Sequence, residues 1–203
     1  MMELYRTAVE MQDFFRQRDW KFCIIGGVAV LRWGHIRATK YVDITLLAGF
    51  GREEFFVDEL LKVCRLRPPC NREFALRSRV LLLTDSHGVA VDVALGAIPF
   101  EERSIERSSL WEAEANLFLR TCSAEDLLVH KCFAGRNLDW GDVEGILARQ
   151  IGSLNLDQVR RELKPLAEVK ETPEVLERLE RMITHHNQPF IKLVPAKPRK
   201  KRR

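Results

Sequence analysis

Apolar and polar positions alternate along this chain with two different periods. Leu4, Ala8, Met11 and Phe15 recur at helical spacing, so the first segment is expected to be an amphipathic helix. A short run rich in β-formers, Lys21-Phe-Cys-Ile-Ile25, then stops at Gly26-Gly27 and reads as a strand. Val28 to Trp33 predicts a helix leaving those glycines, and Tyr41-Val-Asp-Ile-Thr-Leu-Leu47 a second strand. Arg52 to Cys64 is amphipathic, anchored by Phe55, Leu60 and Leu61. Arg79 to Thr84 and Val89 to Leu95 flank Asp85-Ser-His-Gly88 and predict a hairpin. From Ser123 to about His186 the pattern is helical, with Ser123 as one N-cap and Pro173 in a first turn after Thr172. Few βαβ units occur, so the fold class expected is α+β, a mixed sheet followed by helices. The organisation expected is an α+β core over residues 1–115, a helical subdomain over 116–190, and a basic, disordered tail over 191–203.

Composition narrows the class. At 203 residues and 46% hydrophobic content, the chain has material for a real core. No apolar run approaches the roughly 18–20 residues of a membrane span, and the acid-bearing N-terminus does not read as a secretory signal. Five cysteines, none spaced as CxxC, argue against a disulfide framework or a structural zinc and for a reduced, cytoplasmic setting. The formal charge of +4 comes from one end. The last seven residues, KPRKKRR, hold six of the 33 bases and none of the 29 acids, so the rest of the chain is slightly acidic. Any argument from charge for nucleic-acid binding concerns the tail, which would hold phosphate backbones without sequence preference.

Three features could carry chemistry. Gly26-Gly27 at a strand-to-helix junction permits close backbone approach, and a helix N-terminus suits a phosphate; a tight turn alone would also explain the pair. There is no GK[ST] and no GxGxxG, so it is neither a P-loop nor a dinucleotide fingerprint. Asp43 sits inside an apolar strand and shares its face with Tyr41 and Thr45, and Asp92 repeats the arrangement in Val89–Leu95. Aspartate is depleted in strands. Two such residues on neighbouring strands would share a divalent cation, and each alone is explained as well by solvent. Lys131 lies on or beside the apolar stripe of the helix after Ser123, where an ammonium needs a partner or snorkels outward.

The order of these segments resembles a minimal nucleotidyltransferase of the DNA polymerase beta superfold, most of all the AbiEii/AbiGii and MenT-like toxins. The matching pieces are Ile25-Gly-Gly-Val-Ala-Val30, Arg37-Ala-Thr-Lys-Tyr-Val-Asp-Ile-Thr45, Val91-Asp-Val93, Glu125 to Arg136, and Asp139-Trp-Gly-Asp142. The resemblance implies that Gly26 and Gly27 cradle a triphosphate, that Asp43 and Asp92 hold Mg²⁺, and that Arg37 and Lys131 contact the nucleotide. It further implies that Asp92 helps activate an attacking hydroxyl. The partners implied are an NTP, a tRNA or other RNA acceptor or a protein hydroxyl, and a cognate antitoxin; no membrane is implied. One departure stands out. The family pattern is Asp-x-Asp, and the first position here is Tyr41, whose phenol brings no negative charge near neutrality. The chain is then a natural pseudoenzyme or non-catalytic binding module, an inactivated variant, or an enzyme in which Glu125 or another carboxylate compensates. His185-His186 is read as a polar helix end and not as a metal site.

Overall fold

The computed structural model describes residues 2–187; the basic tail assigned to 191–203 lies outside the described residues. Seven strands, β1 (Phe22–Ile25), β2 (Tyr41–Leu47), β3 (Arg65–Leu66), β4 (Val80–Thr84), β5 (Ala90–Gly96), β6 (Ser109–Glu114) and β7 (Leu117–Thr121), form one mixed sheet in the order β3-β4-β5-β2-β1-β7-β6. The helices are α1 (Met2–Arg16), α2 (Gly26–Trp33), α3 (Glu53–Leu60), α4 (Arg72–Ser78), α5 (Pro99–Glu106), α6 (Ala124–Ala134), α7 (Asn137–Gln150), α8 (Leu156–Lys170) and α9 (Glu174–Asn187).

The alternation of strand side chains divides the apolar residues between two cores. Val42, Ile44, Leu46, Val91, Val93 and Leu95 turn to one face, where α1 brings Leu4, Ala8, Met11 and Phe15 and α3 brings Phe56, Val57 and Leu60. Cys23 and Ile25 turn to the other face, under Ala29 and Val30 of α2, Phe100 and Ile105 of α5, and the apolar sides of α6 to α9. Asp43 lies on this second face, since it pairs with Ile25. All five cysteines are free and buried. Among the described residues no helix is long and apolar enough to cross a membrane.

The structure departs from the expected organisation at three points. The sheet continues past residue 115, because β7 pairs in parallel with β1 and is continued by the Cys122 N–H donating to the Ile24 carbonyl at 3.0 Å. The helices begin at Ala124 and share a core with the sheet, so the sequence boundary at 116 falls inside a hairpin. Short elements β3, α4 and α5 lie in stretches where no periodicity was evident. Ser123 does cap α6, accepting from the Asp126 N–H at 3.1 Å. The Thr172 hydroxyl is buried with no partner and does not cap α9.

Candidate nucleotide and metal site

β2 and β5 run parallel and in register, with Asp43 opposite Asp92. Register partners on adjacent strands project to the same face, so the two carboxylates stand side by side. Behind them β1 ends at Ile25 and the chain turns directly into α2. Gly26 has φ +56°, and a Cβ there would lie 2.0 Å from Asp43 Oδ2. Gly27 is equally constrained, since its Cβ would lie 2.2 Å from Thr39 Oγ1. Both glycines are therefore required for the close approach of α2 to β2 and to the segment before it. The Gly27 N–H donates to Asp43 Oδ2 at 3.2 Å, so the anion held at this helix N-terminus is the chain's own carboxylate. The expected cradling of a triphosphate by Gly27 must share that amide.

Burial pushes the Asp43 carboxyl above its usual range; the Gly27 N–H works the other way, the charge of Asp92 raises it further, and Lys131 and Arg136 pull it down. Burial also raises Asp92, against the opposing pull of Arg67. Burial is the first cause for both, and it leaves two adjacent carboxylates whose charged forms need compensation. That is the condition in which a divalent cation binds well, and hard oxygen donors suit Mg²⁺, which takes one or two carboxylates plus substrate phosphates. The donor set fits one such ion. Tyr41, at the position where the resemblance expects a further carboxylate, is half exposed and pairs with Ala90. The Glu125 carboxylate accepts from the Asn155 N–H at the start of α8.

Arg37, Arg136 and Lys131 are drawn together by two carboxylates of α7. Arg37 grips Asp142 in a fork, at 2.6 and 2.8 Å. The buried Lys131 ammonium lies 2.8 Å from Asp142 and 3.1 Å from Asp139. Arg136 reaches Asp139 at 2.7 Å. Burial alone would raise both carboxyls, but Arg136 and Lys131 hold Asp139 below its usual range, and Arg37 and Lys131 do the same for Asp142. Three cations face two carboxylates, and Asp43 feels both Lys131 and Arg136. Lys131 and Arg37 thus form part of a positive wall beside Asp43 while already paired to Asp142.

Arg67 carries no expectation from the sequence, yet it enters the site. It follows the two-residue strand β3, and its N–H donates to the Leu82 carbonyl at 2.8 Å. Leu82 in turn pairs with Asp92. The side chain crosses β4 and donates from Nη2 to Asp92 Oδ1 at 2.5 Å, with its guanidinium 5.3 Å from the centre of the Tyr41 ring. Among the described residues, one trio of His, Cys, Asp or Glu side chains is close enough to share an ion: Glu10, Asp85 and His87 at the β4–β5 turn. Asp85 there already accepts from the His87 and Val89 N–H groups and from the Thr7 hydroxyl. His186, at the end of α9, lies 2.9 Å from Glu144.

No family model matches the chain, and no curated protein matches it in sequence. Solved structures do. An antigenic nucleotidyltransferase-like protein from Paracoccidioides brasiliensis is 12% identical, with 89% of this chain and 93% of that chain covered and a TM-score of 0.51. The antibiotic-resistance factor ANT(2'')-Ia is 18% identical, with 86% and 96% covered and a TM-score of 0.50. At these identities the likeness establishes a nucleotidyltransferase fold. It does not extend to the toxin type.

Proposed function

We propose that this chain binds a nucleoside triphosphate against Asp43 and Asp92 and is built for nucleotide transfer, with the transfer impaired by Tyr41. The observation that supports the reading is the in-register carboxylate pair at the foot of the Gly26-Gly27 turn. The proposed acceptor is an RNA end, such as that of a tRNA, or a protein hydroxyl. The proposed setting is the cytoplasm, as a toxin of the AbiEii/AbiGii or MenT-like type with a cognate antitoxin. The basic tail, Lys197 to Arg203, would add salt-sensitive affinity for an RNA acceptor.

The chain's own residues divide the work. Asp43, fixed by the Gly27 N–H, and the Asp92 oxygen not bonded to Arg67 would hold one divalent cation. A bound Mg²⁺ supplies charge neutralisation at the phosphate oxygens. Lys131, Arg37 and Arg136 form a positive wall beside Asp43, suited to the charge of the triphosphate. The acceptor hydroxyl attacks the α-phosphorus, the new P–O bond forms as the bond to the β-phosphate oxygen breaks, and pyrophosphate leaves. Asp92 would accept the hydroxyl proton as the general base. With Tyr41 in place of a carboxylate, two carboxylates instead of three would hold the metal, and the α-phosphate would be less well placed. Misplacement of this kind costs on the order of 100-fold in rate.

The test is incorporation of labelled NTPs into total tRNA and candidate proteins, with and without Mg²⁺, by the chain with Tyr41 and by Tyr41→Asp. Little incorporation by the Tyr41 chain and a Mg²⁺-dependent rise in the variant are expected. Full activity with Tyr41 present would overturn the metal assignment. A second reading, a non-catalytic nucleotide-binding module, is favoured by Arg67 sitting on Asp92. It predicts nucleotide binding without turnover in both forms.

A further inference from the structure

Arg67, just past β3, Leu82 on β4, Asp92 on β5 and Asp43 on β2 make a row across the sheet, on the face that carries the site. Strands lie about 4.8 Å apart, so Arg67 spans roughly 10 Å of sheet to place its guanidinium beside Asp92. It is held there from two sides. Asp92 Oδ1 accepts from Nη2, and the Tyr41 ring lies under the guanidinium plane's carbon at 5.3 Å. The residue that removes a metal ligand from the site is thus the same residue that supplies an aromatic rest for a cation. Only part of the guanidinium is used: Nε is buried with no hydrogen-bond partner, and among the described residues only Nη2 donates a bond. With Nε sealed from solvent and Nη2 committed to Asp92, Nη1 is the donor left to give a charge-assisted bond to a phosphate oxygen.

We propose that Arg67 is a built-in cation of this site, resting on Tyr41 and Asp92, and that it anchors the phosphates of a nucleoside triphosphate without a bridging divalent metal. This rests on the nucleotide-binding reading above and extends it. Nucleotide binding then separates from metal binding: Arg67 holds the triphosphate, and Asp43 with the free oxygen of Asp92 remains for at most one ion. Arg67 is a binding residue on this account and Tyr41 its positioning residue.

The experiment is calorimetric titration of ATP, GTP, CTP and UTP into the full chain, in excess EDTA and in Mg²⁺, for the natural protein, Arg67→Ala, Arg67→Lys and Tyr41→Leu. At least one nucleotide is expected to bind the natural protein in EDTA within about threefold of its affinity in Mg²⁺. Arg67→Ala should weaken that metal-free binding about 10- to 100-fold, the loss of charge-assisted phosphate bonds. Arg67→Lys keeps a cation but loses the planar group that rests on Tyr41, and should fall between. Tyr41→Leu changes a half-exposed position and tests the same claim should Arg67→Ala fold poorly; it is expected to weaken metal-free binding several-fold. Binding that vanishes in EDTA, or that is indifferent to Arg67 and Tyr41, would overturn the Arg67 assignment and leave the nucleotide site standing. No binding of any nucleotide in either buffer would overturn both.

Discussion

Replacing Tyr41 by aspartate should change stability in opposite directions with and without a divalent ion. Residue 41 is two positions from Asp43 on the same strand face, about 6.6 Å along β2. A new carboxylate at that distance repels Asp43 by about 2.5 kcal/mol at an effective dielectric of about 20. The substitution also gives up the stacking of Arg67 on the ring, about 0.5–1 kcal/mol at a partly exposed position. Attraction of the new charge to Arg67 offsets part of this, so Tyr41→Asp in EDTA should be less stable by about 1–2 kcal/mol. For a chain of this length each kcal/mol is about 2–4 °C in Tm, so the fall should be about 2–8 °C. With Mg²⁺ at a hundredfold excess over its dissociation constant the variant should regain about 2.7 kcal/mol. At the same Mg²⁺ concentration the natural protein, with one ligand fewer, should shift by less than half as much. Differential scanning calorimetry in EDTA and across a Mg²⁺ series measures both effects. Equal Mg²⁺ shifts in the two proteins, or a variant more stable than the natural chain in EDTA, would show that residue 41 does not face a cation site.

Gly26→Ala should cost roughly 1–2 kcal/mol for the left-handed backbone and more for the collision with Asp43, so urea titration should show a clear loss of stability together with weaker nucleotide binding. Lys131→Met leaves two buried carboxylates short of a cation and should destabilise by about 3–5 kcal/mol, read from the same titration. Because Asp139 and Asp142 are held below the usual carboxylate range, their contribution is full above that range and lost as pH falls through their depressed values; Asp142→Asn should flatten the acid limb of the stability curve. Asp43 has the opposite sign: its raised value means that stability declines as pH climbs from the ordinary carboxylate value through the raised one. Asp43→Asn keeps an acceptor for the Gly27 N–H, so near-neutral or slightly raised stability at pH 7 and loss of Mg²⁺ binding are expected from thermal melts with and without the ion.

What the sequence disclosed follows from which interactions are local. The face shared by Tyr41 and Asp43 is fixed by strand parity, and Asp85-Ser-His-Gly88 marked the hairpin that sets where Asp92 falls. The exact register with Asp43 is a property of the β2–β5 pairing, which no local signal states. The need for glycine at 26 and 27 was legible as a junction, but its cause, Asp43 and Thr39 packed against the missing side chains, is not. Arg67 was invisible because it works across two strands from a two-residue element. The pairing of Lys131 with Asp139 and Asp142 joins residues that the family resemblance had already put side by side, without giving the acids a role. The β6–β7 hairpin carries a local signal of its own: Leu117-Phe-Leu-Arg-Thr121 after Asn116, which adopts φ +62°. Pro99 followed by Glu101 likewise marked α5, where Glu101 accepts from the Ala97 and Ile98 N–H groups.

The central claim is that a nucleoside triphosphate occupies the cleft at Asp43 and Asp92. The direct measurement is a crystal structure of the full chain grown with a non-hydrolysable NTP and Mn²⁺, with the metal located by anomalous scattering. The account predicts a triphosphate along the N-terminus of α2 with a phosphate on Arg67, and at most one Mn²⁺, between Asp43 and the free oxygen of Asp92. Mn²⁺ at Glu10, Asp85 and His87 with the Asp43–Asp92 cleft empty of nucleotide would contradict it.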